Sequence, residues 1–297
     1  MEAEGNPVRD AVLDTIAGVE SELGAALFAL EPACCLRRLP GRETFLVDLA
    51  DPTAPVALAV DGDAVGVALT AQLPVVVKRF HARDAREARY ELLHGRLPRS
   101  PAQREAENLS GLLSAGLPVP TPLFWCESGA ASLVLLEYLP HSVTLRRPVE
   151  ARAPEAVPFG RELAELVAGM HAAGWYHRDL YLEHVVLVDG RDGSYLALLD
   201  AGRARFARRP RLRWFVKDLA ALAHSAPEGA PRLRFAAWYF AALAAAGVPL
   251  GRRARRRFLA RVERRARRMA AHVPRHRHQP GPVGAPRVPV DPGSRGA

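Results

Sequence analysis

The apolar positions of this chain change period along its length. Val8, Val12, Ile16, Val19, Leu23 and Leu27 recur at roughly helical spacing and predict a helix within residues 8–30. Thr44 to Leu49, Val56 to Val60, Val65 to Thr70 and Val75 to Val77 read instead as short strands. Turn residues such as Gly41 and Gly62 separate them, as in antiparallel pairing. A helix returns over residues 101–115, with Ala106, Leu109, Leu112 and Leu113 on one face. Ser100 is placed to cap it, Pro101 suits its first position, and Gly116 can take the left-handed turn that ends it. Leu123 to Cys126 and Ser132 to Leu136 form two further strands, so the first half reads as sheet with one inserted helix.

A Pro-rich, charged link from Pro140 to Pro158 precedes a different pattern. Leu163, Leu166, Val167 and Met170 form an i, i+3, i+4, i+7 stripe on a helix stopping near Gly174. Val185 to Val188 and Tyr195 to Leu199 are short strands hinged at Gly190 to Gly193, and from Trp214 onward the chain is helical. The expected architecture is α+β, with an N-terminal helix and strand-rich lobe over 1–139, a helical lobe over 140–273, and a Pro- and Gly-rich disordered tail over 274–297.

Composition narrows the class. The chain has 297 residues, 49% of them apolar and 25% charged, which is globular. Its strongly apolar stretches fall well short of the roughly 20 residues that span a bilayer. The N-terminus, with Glu2 and Glu4, lacks a signal-peptide pattern, and Cys34, Cys35 and Cys126 offer neither a disulfide framework nor a metal pattern. A reduced, cytoplasmic setting is expected. The net charge of +9 is concentrated late: residues 252–268 hold ten arginines and one glutamate, leaving residues 1–251 net acidic. Phe258, Leu259, Val262 and Met269 make a narrow apolar stripe there. An Arg-coated helix from Arg252 to Arg268 would suit peripheral contact with an anionic membrane, at its inner face for a cytoplasmic protein, or would simply face water. No base-reading motif accompanies the arginines, so nucleic acid is not an expected partner.

The candidate chemistry lies in loops and strand ends. His177, Arg178 and Asp179 precede the strand at Val185, and the next strand runs directly into Asp200. Two carboxylates so placed, in a cleft between lobes, suit metal-assisted phosphoryl transfer: one orients and deprotonates an acceptor hydroxyl, the other holds Mg²⁺ against phosphates. Lys78 ends an apolar run, where its ammonium can pair with phosphate oxygens. Its anchoring anion is expected to be Glu105, which follows the buried stripe of its helix, rather than Glu107, which points sideways.

In order along the chain, VVVK, REAENL, HRDLYLEHVVL, LLDAGRARF and VKDLA resemble the protein-kinase-like lipopolysaccharide core kinases, which phosphorylate Kdo or heptose. The resemblance spans roughly residues 37–228 and is most specific from HRD to KDLA. It implies a bilobal protein-kinase-like fold with ATP and Mg²⁺ in the cleft, near Glu137-Tyr138-Leu139. It also implies that Asp179 is the catalytic aspartate, Asp200 a metal ligand, Lys78 the phosphate-pairing lysine and Glu105 its helix partner. His177 is expected to be structural, and Asp218 resembles the buried aspartate that ties the catalytic loop to the following helix. His184 stands where protein kinases carry a metal-binding Asn. These sugar kinases share the histidine, yet imidazole is a poorer Mg²⁺ ligand than an oxygen donor. His184 therefore has three open roles: metal ligand, phosphate positioner or loop support. Ala201, in place of the usual Phe or Leu of a DFG-type triplet, should affect packing only.

Other features weigh on the acceptor. Ala226-Pro227-Glu228 matches the APE triplet of protein kinases but follows Asp218 instead of preceding it, and the connection from Gly202 to Trp214 is too short for a peptide-docking platform. The connection carries Arg203, Arg205, Arg208 and Arg209, with Arg211, Arg213 and Lys217 beyond, a field that would draw an anionic sugar or glycolipid acceptor. Two hairpins compete to cover the phosphates, one at Gly62 to Gly66 and one at Leu39-Pro40-Gly41-Arg42-Glu43. His171, beside Met170 on a helix, reads as a packed or capping residue. The alternatives to a Kdo or heptose kinase are an aminoglycoside- or choline-type phosphotransferase and a catalytically silent, membrane-associated kinase-like scaffold.

Overall fold

The computed structural model describes residues 13–14, 16, 20–30, 34–50, 58–60, 67–69, 73–139, 141–146, 156–190, 193–226 and 231–271. The Gly62 to Gly66 hairpin, Val8, Val12, the middle of the Pro-rich link, Pro227-Glu228 and the tail from residue 274 lie outside them.

In chain order the elements are α1 (Glu20–Ala29), β1 (Cys34–Leu39), β2 (Arg42–Asp48), β3 (Leu58–Val60), β4 (Val67–Leu69), β5 (Pro74–Phe80), α2 (Ala85–Leu93), α3 (Pro101–Ser114), β6 (Pro122–Ser128), β7 (Ala131–Glu137) and β8 (His141–Thr144). The second half contains α4 (Ala156–Ala172), β9 (Trp175–Tyr176), β10 (Val185–Gly190), β11 (Gly193–Leu198), β12 (Arg205–Phe206), α5 (Leu212–Ser225), α6 (Arg232–Ala245) and α7 (Arg252–Ala270). An antiparallel five-stranded sheet, ordered β1-β2-β5-β7-β6, forms the first half. In the second, α4 packs on α6 and α5 on α7, beneath the small sheet β11-β10-β8. The fold is α+β and bilobal.

Strand alternation decides what each face of the sheet meets. Val75 and Val77 of β5 join Phe45, Leu133 and Leu135 in a core closed by Leu27 of α1. Arg79, on that same face, donates to the carbonyls of Leu27, Phe28 and Leu30 at 2.9–3.2 Å and so satisfies the C-terminal end of α1. The intervening residues point the other way. Phe80, with Val134 and Leu136, packs on Ala102, Ala106 and Leu109 of α3, and Lys78 shares this face. The helix itself starts and stops where its residues dictate: the Ser100 hydroxyl accepts the Gln103 amide at 3.1 Å, and Gly116 takes φ 74° while Leu117 N–H returns to the Leu112 carbonyl.

Four elements differ from the sequence reading. The first half holds two helices after its central strand rather than one, because α2 buries Glu87 and Glu91 where an amphipathic helix would bury apolar residues. Its start is capped by Asp84, whose carboxylate accepts from the amides of Arg86 and Glu87 at 3.1 Å. β1 precedes the expected first strand, and β8 lies within the Pro140 to Pro158 link, where Leu187 of β10 pairs Val143. The apolar stripe of α7 is no membrane face. Phe258, Val262 and Ala266 are buried in the main core with Phe215 and Tyr239, and the arginines coat the remaining surface.

Candidate active site

Lys78 and Glu105 meet because β5 turns Lys78 toward α3 and the helical period turns Glu105 toward the sheet. They form an ion pair, buried on both sides. Lys78 Nζ also lies 3.3 Å from Asp200 Oδ1. Glu107, by contrast, points outward to Arg99. Burial alone would lower Lys78, but the carboxylates of Asp200 and Glu105 outweigh it and hold the ammonium charged above its usual range. The Lys78 charge, with Arg42 adding to it, holds Asp200 far below the ordinary carboxylate range despite its burial. Asp200 is therefore an ionised carboxylate at any physiological pH.

Asp200 sits at the end of β11 with φ 60°, left-handed backbone for a non-glycine residue. Such strain persists where neighbours over-determine it. Here α3 does so: Asn108 Nδ2 donates to the Ala201 carbonyl at 3.0 Å and Arg104 Nε to the Gly202 carbonyl at 3.1 Å. Ala201 is buried in the core, in line with the packing role expected of it. A side chain at position 202 would begin 3.3 Å from Glu105 Oε2, which accounts for glycine there.

The catalytic-loop candidates are held from beneath by Asp218, fully buried on α5. One oxygen accepts the Arg178 amide at 2.7 Å, and the other the His177 amide at 2.9 Å. The second oxygen also lies 3.3 Å from His171 Nε2, whose other nitrogen bonds Tyr239 Oη at 2.8 Å. His171 stacks flat on Phe215, ring centroids 4.1 Å apart. The expectation of a packed residue for His171 thus gains a partner that spacing alone did not show. Arg178 takes φ 70°, a second left-handed residue, and delivers Asp179 to the cleft side. His177 is fully buried, and burial lowers its pKa, so the ring is neutral and donates from Nε2 to the Leu199 carbonyl at 2.9 Å. Asp179 is bound by Arg203 through both oxygens, at 3.0 and 3.1 Å.

His184 bridges the two aspartates. Its Nδ1 donates to the Asp179 carbonyl at 2.8 Å, and its Nε2 lies 3.8 Å from Asp200 Oδ2. At the far side of the cleft, Glu137 accepts from Thr121, through its amide at 3.2 Å and its hydroxyl at 2.6 Å, and Leu139 packs on Val186, Val188 and Ala197.

Arg42 is a residue the sequence reading missed. It leaves the β1–β2 turn, behind Gly41 at φ 78°, and reaches across to Asp200 with both guanidinium nitrogens at 3.4 Å. This hairpin, one of the two candidates, is the one described over the cleft. A basic residue at a hairpin tip beside Gly41 was the available signal. Lys217, the last of the basic residues expected at the acceptor, lies near Asp179: burial and the nearby Arg203 and Arg178 lower its ammonium to about 8, while Asp179 draws it back. Of the arginines expected at the acceptor, Arg205 is committed elsewhere. It pairs with Glu87 and stacks 3.7 Å over Tyr90, fastening α2 to the loop. Arg208 and Arg209 are at the surface.

A lysine–glutamate pair from sheet and helix, a strained ionised aspartate beside it, and a buttressed loop aspartate together make the arrangement expected of a protein-kinase-like fold. The comparisons with known proteins give the family. Residues 77–239 match the family model described as lipopolysaccharide kinase (Kdo/WaaP), and the chain belongs to that family. It is 32% identical over 170 residues to the lipopolysaccharide core heptose(I) kinase WaaP of Pseudomonas aeruginosa, a match covering 50% of this chain and 63% of that relative's length. A solved structure of WaaP in complex with acyl carrier protein superimposes with a TM-score of 0.55 at 25% identity, covering 82% of this chain and 91% of that one.

Proposed function

We propose that this chain is an ATP- and Mg²⁺-dependent kinase that transfers the γ-phosphoryl group to a hydroxyl of Kdo or heptose in the lipopolysaccharide inner core. The observation that carries this reading is the meeting of Lys78, Glu105 and Asp200, 122 residues apart between Lys78 and Asp200, beside the loop of Asp179. The donor set fits magnesium. Among the described residues no three His, Cys, Asp or Glu side chains gather to form a closed metal site. The Asp200 carboxylate would hold the ion and leave the remaining positions to phosphate oxygens and water, as Mg²⁺ prefers, with His184, the poorer donor, 3.8 Å from Asp200 Oδ2 to meet the ion or a phosphate. When bound, the ion neutralises charge developing on the transferred phosphoryl group.

The chain's own residues do the rest. Lys78, held by Glu105, clamps nucleotide phosphates, and Arg42 closes over them from the β1–β2 hairpin. Asp179 orients the acceptor hydroxyl for in-line attack and accepts its proton. Arg203, released from Asp179, with Arg208 and Arg209, draws the anionic acceptor. Glu137 and Leu139 border the adenine position, and the lobes divide near residue 139. His177 and Asp218 hold the loop. The outward arginines Arg252, Arg253, Arg256 and Arg257 of α7 rest against the anionic inner face of the cytoplasmic membrane. No helix among the described residues is long and apolar enough to cross a membrane.

The test is phosphate transfer from radiolabelled ATP to Kdo-lipid A, heptosylated core, an aminoglycoside and a generic protein, with Asp179→Asn as control. Labelling of a core sugar should fall more than about tenfold in the variant, equivalent to 1.4 kcal/mol in the barrier, while MgATP affinity is retained. Transfer to the aminoglycoside alone, or a variant within tenfold of the parent, would refute the assignment.

A further inference from the structure

Beside the loop of Asp179, between α5 and α7, lies an open cavity of about 760 Å³. Arg261, Arg264, Arg265 and Arg268 line it from α7, and their i, i+3, i+4, i+7 spacing puts them on one helical face. Burial of Phe258, Val262 and Ala266 against the core fixes where that face points. Arg213 approaches from α5, and Tyr181, whose amide donates to the Asp179 carbonyl at 3.0 Å, closes the end nearest the catalytic loop.

None of these five guanidinium groups forms an ion pair with a carboxylate of the described residues. The acid on α7, Glu263, lies 3.7 Å from Arg267, which is not part of the lining. A solvated helix face would explain arginines spread over a convex surface. It does not explain cations from two elements converging on one concavity that is also walled by Tyr181 and Met269. Like charges so gathered repel until an anion joins them, and the forked donors of guanidinium match the oxygens of a phosphate monoester.

We infer that this cavity is an anion subsite that holds a phosphate monoester already present on the acceptor, while a hydroxyl elsewhere on the same molecule reaches Asp179. The acceptor's identity rests on the kinase reading above; the anion site does not. The subsite makes the reaction one that follows an earlier phosphorylation of the same acceptor.

Calorimetric titration of the full chain tests this with a lipopolysaccharide core oligosaccharide bearing phosphate monoesters and the same oligosaccharide after phosphatase treatment. The parent should bind the phosphorylated form at least about tenfold more tightly. The variant Arg264→Gln/Arg265→Gln/Arg268→Gln should bind both forms alike, at the level of the dephosphorylated one. Arg213→Gln, on the opposite wall, should shift binding in the same direction, which guards against a local defect in α7. Inorganic phosphate should compete in the parent and not in the triple variant. Equal binding of the two oligosaccharides by the parent, or a preference that survives the triple variant, overturns the inference. So does loss of phosphatidylglycerol-vesicle binding alone in that variant, which would make this face a membrane contact. Absence of phosphoryl transfer to any sugar, with phosphate-dependent binding intact and abolished by the triple variant, would sink the kinase reading and uphold the subsite.

Discussion

Replacing Asp218 by Asn isolates the support beneath the loop of Asp179. The two oxygens of Asp218 accept the amides of His177 and Arg178 at 2.9 and 2.7 Å in a site with no exposed surface. An asparagine has one acceptor oxygen, so its NH₂ must confront one of these N–H groups, or the side chain must turn away from both. A buried donor left unmet costs about 1–3 kcal/mol, and the surviving bond loses its charge assistance, so a total near 3 kcal/mol is expected. At roughly 2–4 °C per kcal/mol for a chain somewhat smaller than this one, the thermal midpoint should fall by about 6–12 °C. Because the freed amides belong to the two residues preceding Asp179, turnover should drop by more than about tenfold at temperatures where the variant is still folded. Differential scanning calorimetry and a phosphoryl-transfer assay below the transition read the two effects. A midpoint within about 2 °C of the parent would refute the view that Asp218 is what holds the loop.

Arg42→Gln removes the cation that the β1–β2 hairpin presents to Asp200, and MgATP affinity measured by calorimetry should fall by about 5- to 30-fold, with acceptor KM little changed. Lys217 has its pKa lowered to about 8, so it is cationic below that pH and neutral above it. Affinity for an anionic acceptor should therefore be full at pH 7 and decline as pH rises through 8, seen as a rising KM, and Lys217→Met should flatten the profile. Gly174→Ala places a Cβ 2.5 Å from the Ala207 carbonyl oxygen at φ 85°. The combined strain should destabilise by about 3 kcal/mol, read in urea denaturation as a lower midpoint with an unchanged slope.

What the sequence made legible follows from which forces leave a periodic trace. Period two in Val75-Val76-Val77-Lys78 and period 3.6 through Ala106, Leu109 and Leu112 suffice to turn Lys78 and Glu105 toward each other, because burial of the alternate positions sets both orientations. The helix α2 left no such trace. Its inward residues are Glu87 and Glu91, and Glu87 is satisfied by Arg178 and Arg205, 91 and 118 residues away, partners that no local pattern announces. Arg42 escaped for a related reason: its target, Asp200, is 158 residues distant, and a hairpin tip carries no apolar rhythm to say which way it folds. The stripe on α7 was visible, but a stripe reports only that something apolar covers it, and the core rather than a lipid surface does so.

Under the proposed function, Arg203 on Asp179 and Arg42 on Asp200 have a consequence for how substrates arrive. Each acid already has a cation in place, so an incoming molecule exchanges one counter-charge for another and strips little ordered water from a naked anion. Entry becomes a trade of partners at nearly constant charge, and the side chains set free are arginines, well suited to grip whatever phosphate or sugar acid has just displaced them.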